Sequence, residues 1–305
     1  MDIFKLISDI EKVDPEVYDR LDSRRRVFKH LTGVGTKVAA AAVPAFFASV
    51  FSKAYGQGTA LPSDIAAILN FALKLEYLEA LFYTKGVATA GLIPAGAGLT
   101  ALTNIRDDEN KHVAALRGLL GSQAIAPLTD SFFDFTGSKG GTRAPLFADV
   151  FSNYQTFLAV AQSFEDTGVR AYKGGAAGLK ANDAILEAAL NIHSVEARHA
   201  SHLRLMRRGG PTVAGAGTGA SPKSWITGTE GGGAGGAATA AIYGAGNPAS
   251  NFPAEDNVTQ GGIQLQTALA SLNFPASAFS EAFDEPLDAT TVTNIALNFV
   301  VGNSF

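Results

Sequence analysis

The chain has no cysteine. Disulfides, thiolate metal sites and cysteine nucleophiles are therefore excluded, and the redox compartment leaves no mark on the sequence. Charge is scarce as well: Asp, Glu, Lys and Arg make up 17% of the 305 residues, and the net charge is −4. The basic footprint that usually accompanies nucleic-acid binding is missing. The apolar stretch "VAAAAVPAFFASVF" (38–51) is shorter than the roughly 20 residues a membrane span needs. What the chain does have is 47% apolar residues, enough for a sizeable core in one large domain or two smaller ones. Many of its 33 glycines fall after residue 208, so the composition shifts along the chain.

The first 57 residues read as an export signal. "SRRRVFKHL" (23–31) places basic residues before the apolar stretch, and "SKAYGQGTA" follows it with small residues. Paired arginines followed by Phe28 and Lys29 resemble the twin-arginine type. Ala54 and Gly56 suit cleavage before Gln57. His30 belongs to this segment. The competing expectation is an N-terminal helical segment that stays packed on the protein, with an amphipathic helix in "MDIFKLISDIEKVDPEVYDRL".

From Ser63 the pattern turns helical. "SDIAAILNFALKLEYLEALFYTKG" has apolar residues at helical spacing, with Ser63 as N-cap and Gly86 as stop. A short Gly/Pro loop leads to a second helix over about 99–120. A third is expected from Pro145, in its first turn, to about Lys173. A fourth covers about 180–208 and ends in basic residues, as the helix dipole favours. The linkers run short, long, short. The expectation is an all-α fold: a ferritin-like four-helix bundle over 58–209 with a long crossover between its second and third helices. The signal-like segment 1–57 precedes it. A glycine-rich C-terminal extension, 210–305, follows with a short terminal helix. Taken alone the extension looks like a flexible linker, although Trp225, Ile226, Ile242, Tyr243 and Phe252 could pin it to the bundle.

Each helix carries a carboxylate near mid-length: Glu76, then Glu109 with His112, then Glu165, then Glu196 with His199. Residues three apart share a helical face, so each Glu-x-x-His pair can aim at one point. Random placement of 12 Glu and 5 His in 305 residues predicts about 0.2 such pairs, against two found. Glu76 and Glu165 each have a tyrosine seven residues later, Tyr83 and Tyr172, so the chain reads as two similar hairpins. Packed together, they would gather four carboxylates and two imidazoles. In a low-dielectric core these carboxylates repel one another and lose solvation. Two divalent cations would remove most of that conflict, and oxygen and imidazole ligands suit iron and manganese, and zinc less diagnostically.

Several neighbours are weighed against this set. Glu79 could replace Glu76 or add to it; the matching tyrosine favours Glu76. Tyr83 and Tyr172 are expected as packing residues, with hydrogen bonding to the ligands as the alternative. His193 and His202 are expected to be solvated or structural. Asp108 and Asp166 are expected to face away from the site.

"LNFALKLEYLEALFY", "DDENKHVAAL", "AQSFEDTGVRAY" and "HSVEARHASHL" resemble the four helices of ferritin-like domain proteins. The likeness is to the group containing plant desiccation-related proteins and many exported bacterial proteins, and it covers about 60–208. "SRRRVFKH", "AYGQ" and the late "FDEPLD" resemble the bacterial members. The resemblance implies a dinuclear iron or manganese site carried by Glu76, Glu109, His112, Glu165, Glu196 and His199. Better-known relatives oxidise ferrous iron, reduce peroxide or dioxygen, or disproportionate peroxide with manganese. The expectation is an exported, periplasmic or envelope protein, with peroxide, dioxygen or ferrous iron as its small-molecule substrate. Nucleic acid and membrane, beyond the signal, are not expected as partners, and a homo-oligomer is left open. The alternative is a non-catalytic stress, desiccation-related or envelope protein with a structural or vestigial metal. An iron store is a third reading, disfavoured because the glycine-rich tail departs from plain ferritins.

Overall fold

A computed structural model describes residues 60–207, 223–229, 238–302 and 304–305. The chain divides into two units, Met1–Gln57 and Gly58–Phe305. The signal-like segment, its early amphipathic stretch and the glycine-richest parts of the tail lie outside the described residues. No described helix is long and apolar enough to cross a membrane.

Four long helices carry the second unit: α1 (Ser63–Ala88), α2 (Ala97–Leu120), α3 (Tyr154–Gly175) and α4 (Asp183–Arg207). α1 packs along α2 and α3 along α4, and the two hairpins meet through α1 against α3 and α2 against α4. This is the all-α, ferritin-like arrangement the linker lengths predict. Three boundaries differ from expectation. Ser63 is not the N-cap; Pro62 occupies that position without a side-chain bond. Gly86 does not stop α1 but lies inside it. A Cβ there would sit 2.2 Å from Phe157 Cε2, so the glycine admits the α3 ring against the α1 backbone. α3 starts at Tyr154, not near Pro145. Asn153 caps it by accepting from the N–H groups of Gln155 and Thr156. The Phe147 N–H is already bonded to Thr136 O at 2.9 Å, which ties that stretch to the crossover.

The crossover, residues 121–153, is ordered by its own contacts. The Asp134 carboxylate accepts from Thr136, Ser138 and the Gly140 N–H. These bonds outweigh partial burial and hold its pKa down, to about 2. Phe133 bridges to Val300 near the C-terminus. Phe135 of the crossover joins the core: it meets Phe82 of α1 at 5.5 Å, and Phe82 also stacks on Phe157 at 4.7 Å and meets Phe164 at 5.0 Å, both on α3.

The C-terminal extension is not a free linker where it is described. It contributes α5 (Ala240–Tyr243), a two-stranded hairpin β1 (Thr259–Gln260) and β2 (Ile263–Gln264), and α6 (Ala289–Ala296). The hairpin turn is Gly261–Gly262, both with positive φ, as a two-residue turn requires. Ile226, Ile242, Tyr243, Leu287, Val292 and Ile295 bury against Leu75 of α1. Trp225, expected to pin the tail, is 49% exposed; its indole N–H donates to Glu281 at 2.9 Å.

The latch is Arg170 on α3, which is fully buried. Its guanidinium donates to the backbone carbonyls of Ile242, Gly244, Pro253, Glu285 and Pro286. It also pairs with Glu255, Nε to Oε1 at 2.8 Å. The planar fork supplies five donors, which gather backbone carbonyls from three separate stretches of the extension. Beside it, Tyr243 and Arg204 both donate to the Asp166 carboxylate. α3 is therefore covered on its outer side as well as toward the bundle. Arg170→Leu is expected to cost about 3–5 kcal/mol, as removal of one partner of a buried pair does. Urea unfolding should show the loss, and limited proteolysis should open the segment between 244 and 286 before the bundle.

Candidate metal centre

Helix spacing builds this site twice. Glu76 and Tyr83 stand two turns apart on α1, and Glu165 and Tyr172 repeat the pair on α3. α2 and α4 each bring a Glu and a His one turn apart. All four carboxylates are 0% exposed, and His112 and His199 are buried. Two sets of potential ligands form: Glu76, Glu109, His112 and Glu196 in one, and Glu109, Glu165, Glu196 and His199 in the other. Within each set the ligand atoms lie within 4.8 Å of one another. Glu109 and Glu196 belong to both, the placement a bridging carboxylate needs. All six residues singled out from the sequence thus come together.

The imidazoles present Nδ1 to the centre. His112 Nδ1 lies 3.2 Å from Glu76 Oε2, 3.1 Å from Glu109 Oε2 and 3.1 Å from Glu196 Oε1. His199 Nδ1 lies 2.8 Å from Glu109 Oε1 and 3.3 Å from Glu165 Oε2. Nevertheless Glu109 Oε1, Glu165 Oε2, both oxygens of Glu196 and His199 Nδ1 are buried without an aligned hydrogen bond. Buried polar atoms are rarely left so. Atoms that crowd together without facing one another as donor and acceptor fit a common cation, and the all-oxygen-and-nitrogen donor set suits iron or manganese.

The tyrosines are not simply packing residues. The Tyr83 hydroxyl donates to Glu165 and the Tyr172 hydroxyl to Glu76. Each tyrosine therefore bridges from its own hairpin to a carboxylate of the other, and fixes which oxygen remains for a ligand. Asp108 also departs from expectation: its carboxylate comes 3.6 Å from His199 Nε2, the ring nitrogen away from the centre. Asp166 does face away, into the buried contact with Arg204 and Tyr243. His193 is structural, with Nδ1 3.0 Å from Val169 O, and His202 is exposed. Glu79 is buried but belongs to neither ligand set. It borders an apolar gap of about 10 Å³ shared with Phe164, Ile295 and Phe299.

Gly168 is the residue that sequence reading missed. A Cβ there would lie 2.8 Å from Glu196 Oε2 and 3.4 Å from Glu79 Oε1, so its hydrogen makes room for the shared carboxylate. A glycine within a helix, costing about 1 kcal/mol against alanine, was the available signal of a close approach.

Without a metal, protons must carry the charge balance. Burial raises Glu76 to about 7 despite the opposing pull of His112. Burial, reinforced by the other carboxylates, pushes Glu79 and Glu196 well above the ordinary range, and burial raises Glu165. Burial acts against the charged imidazoles, but neighbouring carboxylates outweigh it and raise both His112 and His199. Burial also acts against ionised Glu109, yet His112 and His199 hold its pKa low.

The groups with raised pKa bind protons more tightly folded than unfolded. Their contribution is therefore lost as pH rises, for Glu76 between the unfolded value of 4.5 and the folded value of about 7. Glu109 has the opposite sign, but its contribution is lost only as pH falls below the ordinary carboxylate range. The metal-free protein should thus melt at lower temperature at about pH 8 than at about pH 5, and manganese(II) should reverse the order. A melting temperature flat across this range would contradict the charge account. Gly168→Ala is expected to weaken metal binding by about 10–100-fold, measured by calorimetry, while circular dichroism shows the helices intact.

Residues 64–208 match the family model of the ferritin-like domain. Comparisons with curated proteins and with solved structures give no match. The matched stretch spans all four helices and contains all six candidate ligands. Residues 64–208 are a ferritin-like domain.

Proposed function

We propose that the protein is an exported oxidoreductase that holds two iron or manganese ions and acts on peroxide, dioxygen or ferrous iron. The observation carrying this reading is the pair of buried ligand sets that share Glu109 and Glu196. Bound there, the metals would supply one-electron redox chemistry toward oxygen species. Glu76 and Glu165 would be terminal ligands, steadied by Tyr172 and Tyr83. His112 and His199 would coordinate through Nδ1, with Asp108 orienting the far side of His199. Glu109 and Glu196 would be shared. Complete burial of the carboxylates keeps bulk water out, which strengthens every charge interaction inside. Export by the twin-arginine route is supported by "SRRRVFKHL" and "AYGQ"; that route carries folded proteins, which is compatible with metal insertion before export.

The test is elemental analysis of protein purified from its native host, followed by assays of peroxide loss and ferrous oxidation on the metal-loaded protein. The expected result is close to two metals per chain and turnover that Glu109→Ala or Glu196→Ala reduces by at least about 10²-fold. Turnover that survives both substitutions contradicts the reading. Full metal loading without turnover on any of the three substrates supports the non-catalytic alternative instead.

A further inference from the structure

One flank of the domain contains a cavity of about 430 Å³ that the metal chemistry above does not use. It lies between α1, the C-terminal end of α3 with the turn Ala176–Leu179, and the extension at Leu287–Ala289. Its size is within the range of small-molecule sites. Ile68, Phe71, Leu75, Leu179 and Leu287 supply apolar walls. Among the described residues no lysine or arginine lines it, and Asp288 is the one ionisable wall residue besides Tyr172. That carboxylate already accepts from the Thr291 N–H and hydroxyl and from the Asn247 N–H.

Two features make this a built space. The end of α3 reads "KGGAAGL", with no side chain beyond a methyl group between Lys173 and Leu179. A Cβ on Gly178 would come 2.5 Å from Ile68 Cδ1, and one on Gly174 would come 2.0 Å from Leu287 O. Glycine at these positions lets the walls close in without filling the interior. The outer wall is also fixed. Arg170 donates to the carbonyls of Glu285 and Pro286, and its own carbonyl accepts from the Leu287 N–H at 3.0 Å. The arginine latch thus ends where the cavity wall begins. A preformed cavity avoids the ordering cost that a loose tail would impose on a ligand.

Tyr172 is one of the lining residues, and its hydroxyl donates to Glu76. One residue therefore both borders the cavity and holds a candidate metal ligand through its hydroxyl.

We propose that this cavity binds an uncharged, apolar small molecule, such as a medium-chain alcohol or a small aromatic compound, and that its occupancy is transmitted to the metal centre through Tyr172. The absence of a cationic wall residue among the described residues and the presence of Asp288 disfavour anions. An ammonium group gains no free carboxylate, because Asp288 is committed to backbone and hydroxyl donors. The binding half stands on the cavity alone; the transmission half rests on the metal reading proposed above.

The probe is N-phenyl-1-naphthylamine, titrated by fluorescence into the full chain, metal-free and manganese-loaded. Saturable binding is expected, with displacement by 1-decanol at concentrations at least about tenfold below those needed for decanoate or decyltrimethylammonium. Ala67→Trp at the exposed rim and Ala171→Phe in the wall should each weaken probe binding by about tenfold or more. The rim variant tests the site without disturbing the core. Non-saturable binding, or binding untouched by both substitutions, overturns the proposal; equal displacement by decanoate overturns the assignment to uncharged ligands. For transmission, 1-decanol should change manganese affinity in the parent protein and not in Tyr172→Phe. An unchanged affinity in the parent overturns the coupling. Probe binding as expected in a protein that takes up neither manganese nor iron would mean that the metal reading has failed and the cavity has not.

Discussion

Four carboxylates and two imidazoles are held at the centre of an apolar bundle, and that arrangement constrains everything around it. Such a cluster cannot remain fully ionised in a low-dielectric interior. It must be neutralised by protons or by metal cations. In the metal-free protein protons would do this: burial raises the pKa values of Glu76, Glu165 and Glu196, the neighbouring carboxylates raise those of His112 and His199, and the two imidazoles hold Glu109 low. Several atoms nevertheless remain without aligned partners. A proton cannot serve three or four converging lone pairs at once, whereas a divalent cation can.

The packing follows from protecting that centre. The two hairpins exchange tyrosine hydroxyls across their interface, so the pairing of the hairpins and the orientation of the ligands are one feature. Gly168 and Gly86 bring α3 close to its neighbours at two levels, one at the shared carboxylate and one at the phenylalanine stack. The extension then seals the outer side of α3 through Arg170, Asp166 and Tyr243. A polar face on the outside of α3 would ordinarily meet water; here it meets backbone carbonyls. The same latch sets one wall of the cavity that Tyr172 borders, and the Tyr172 hydroxyl donates to Glu76 at the metal centre.

Much of the centre was legible in the sequence because its information is local. A Glu and a His three apart on an apolar-patterned helix, found twice and alternating with single glutamates, is a one-dimensional pattern with a three-dimensional meaning. The order of short, long and short linkers likewise predicts the hairpin pairing. The rest depends on partners far away in the chain. Nothing near Tyr83 announces that its hydroxyl meets Glu165, and a tyrosine on an apolar face reads as packing. Arg170 recognises backbone carbonyls, which have no side-chain signature, so a segment of glycine, alanine and small polar residues resembled a linker. Pro145 looked like a helix start because proline suits a first turn; the Asn153 cap and the Phe147–Thr136 bond, both outside that pattern, decide the boundary instead.

In the proposed metal-loaded protein, two cations replace the protons of this cluster. Anomalous X-ray diffraction from crystals of the manganese-loaded protein, collected either side of the manganese edge, measures this most directly. The account predicts two peaks about 3.5–4 Å apart, one beside His112 and one beside His199, with Glu109 and Glu196 between them. Crystals that show no anomalous peak among these six side chains, while the carboxylates keep their positions, would contradict it.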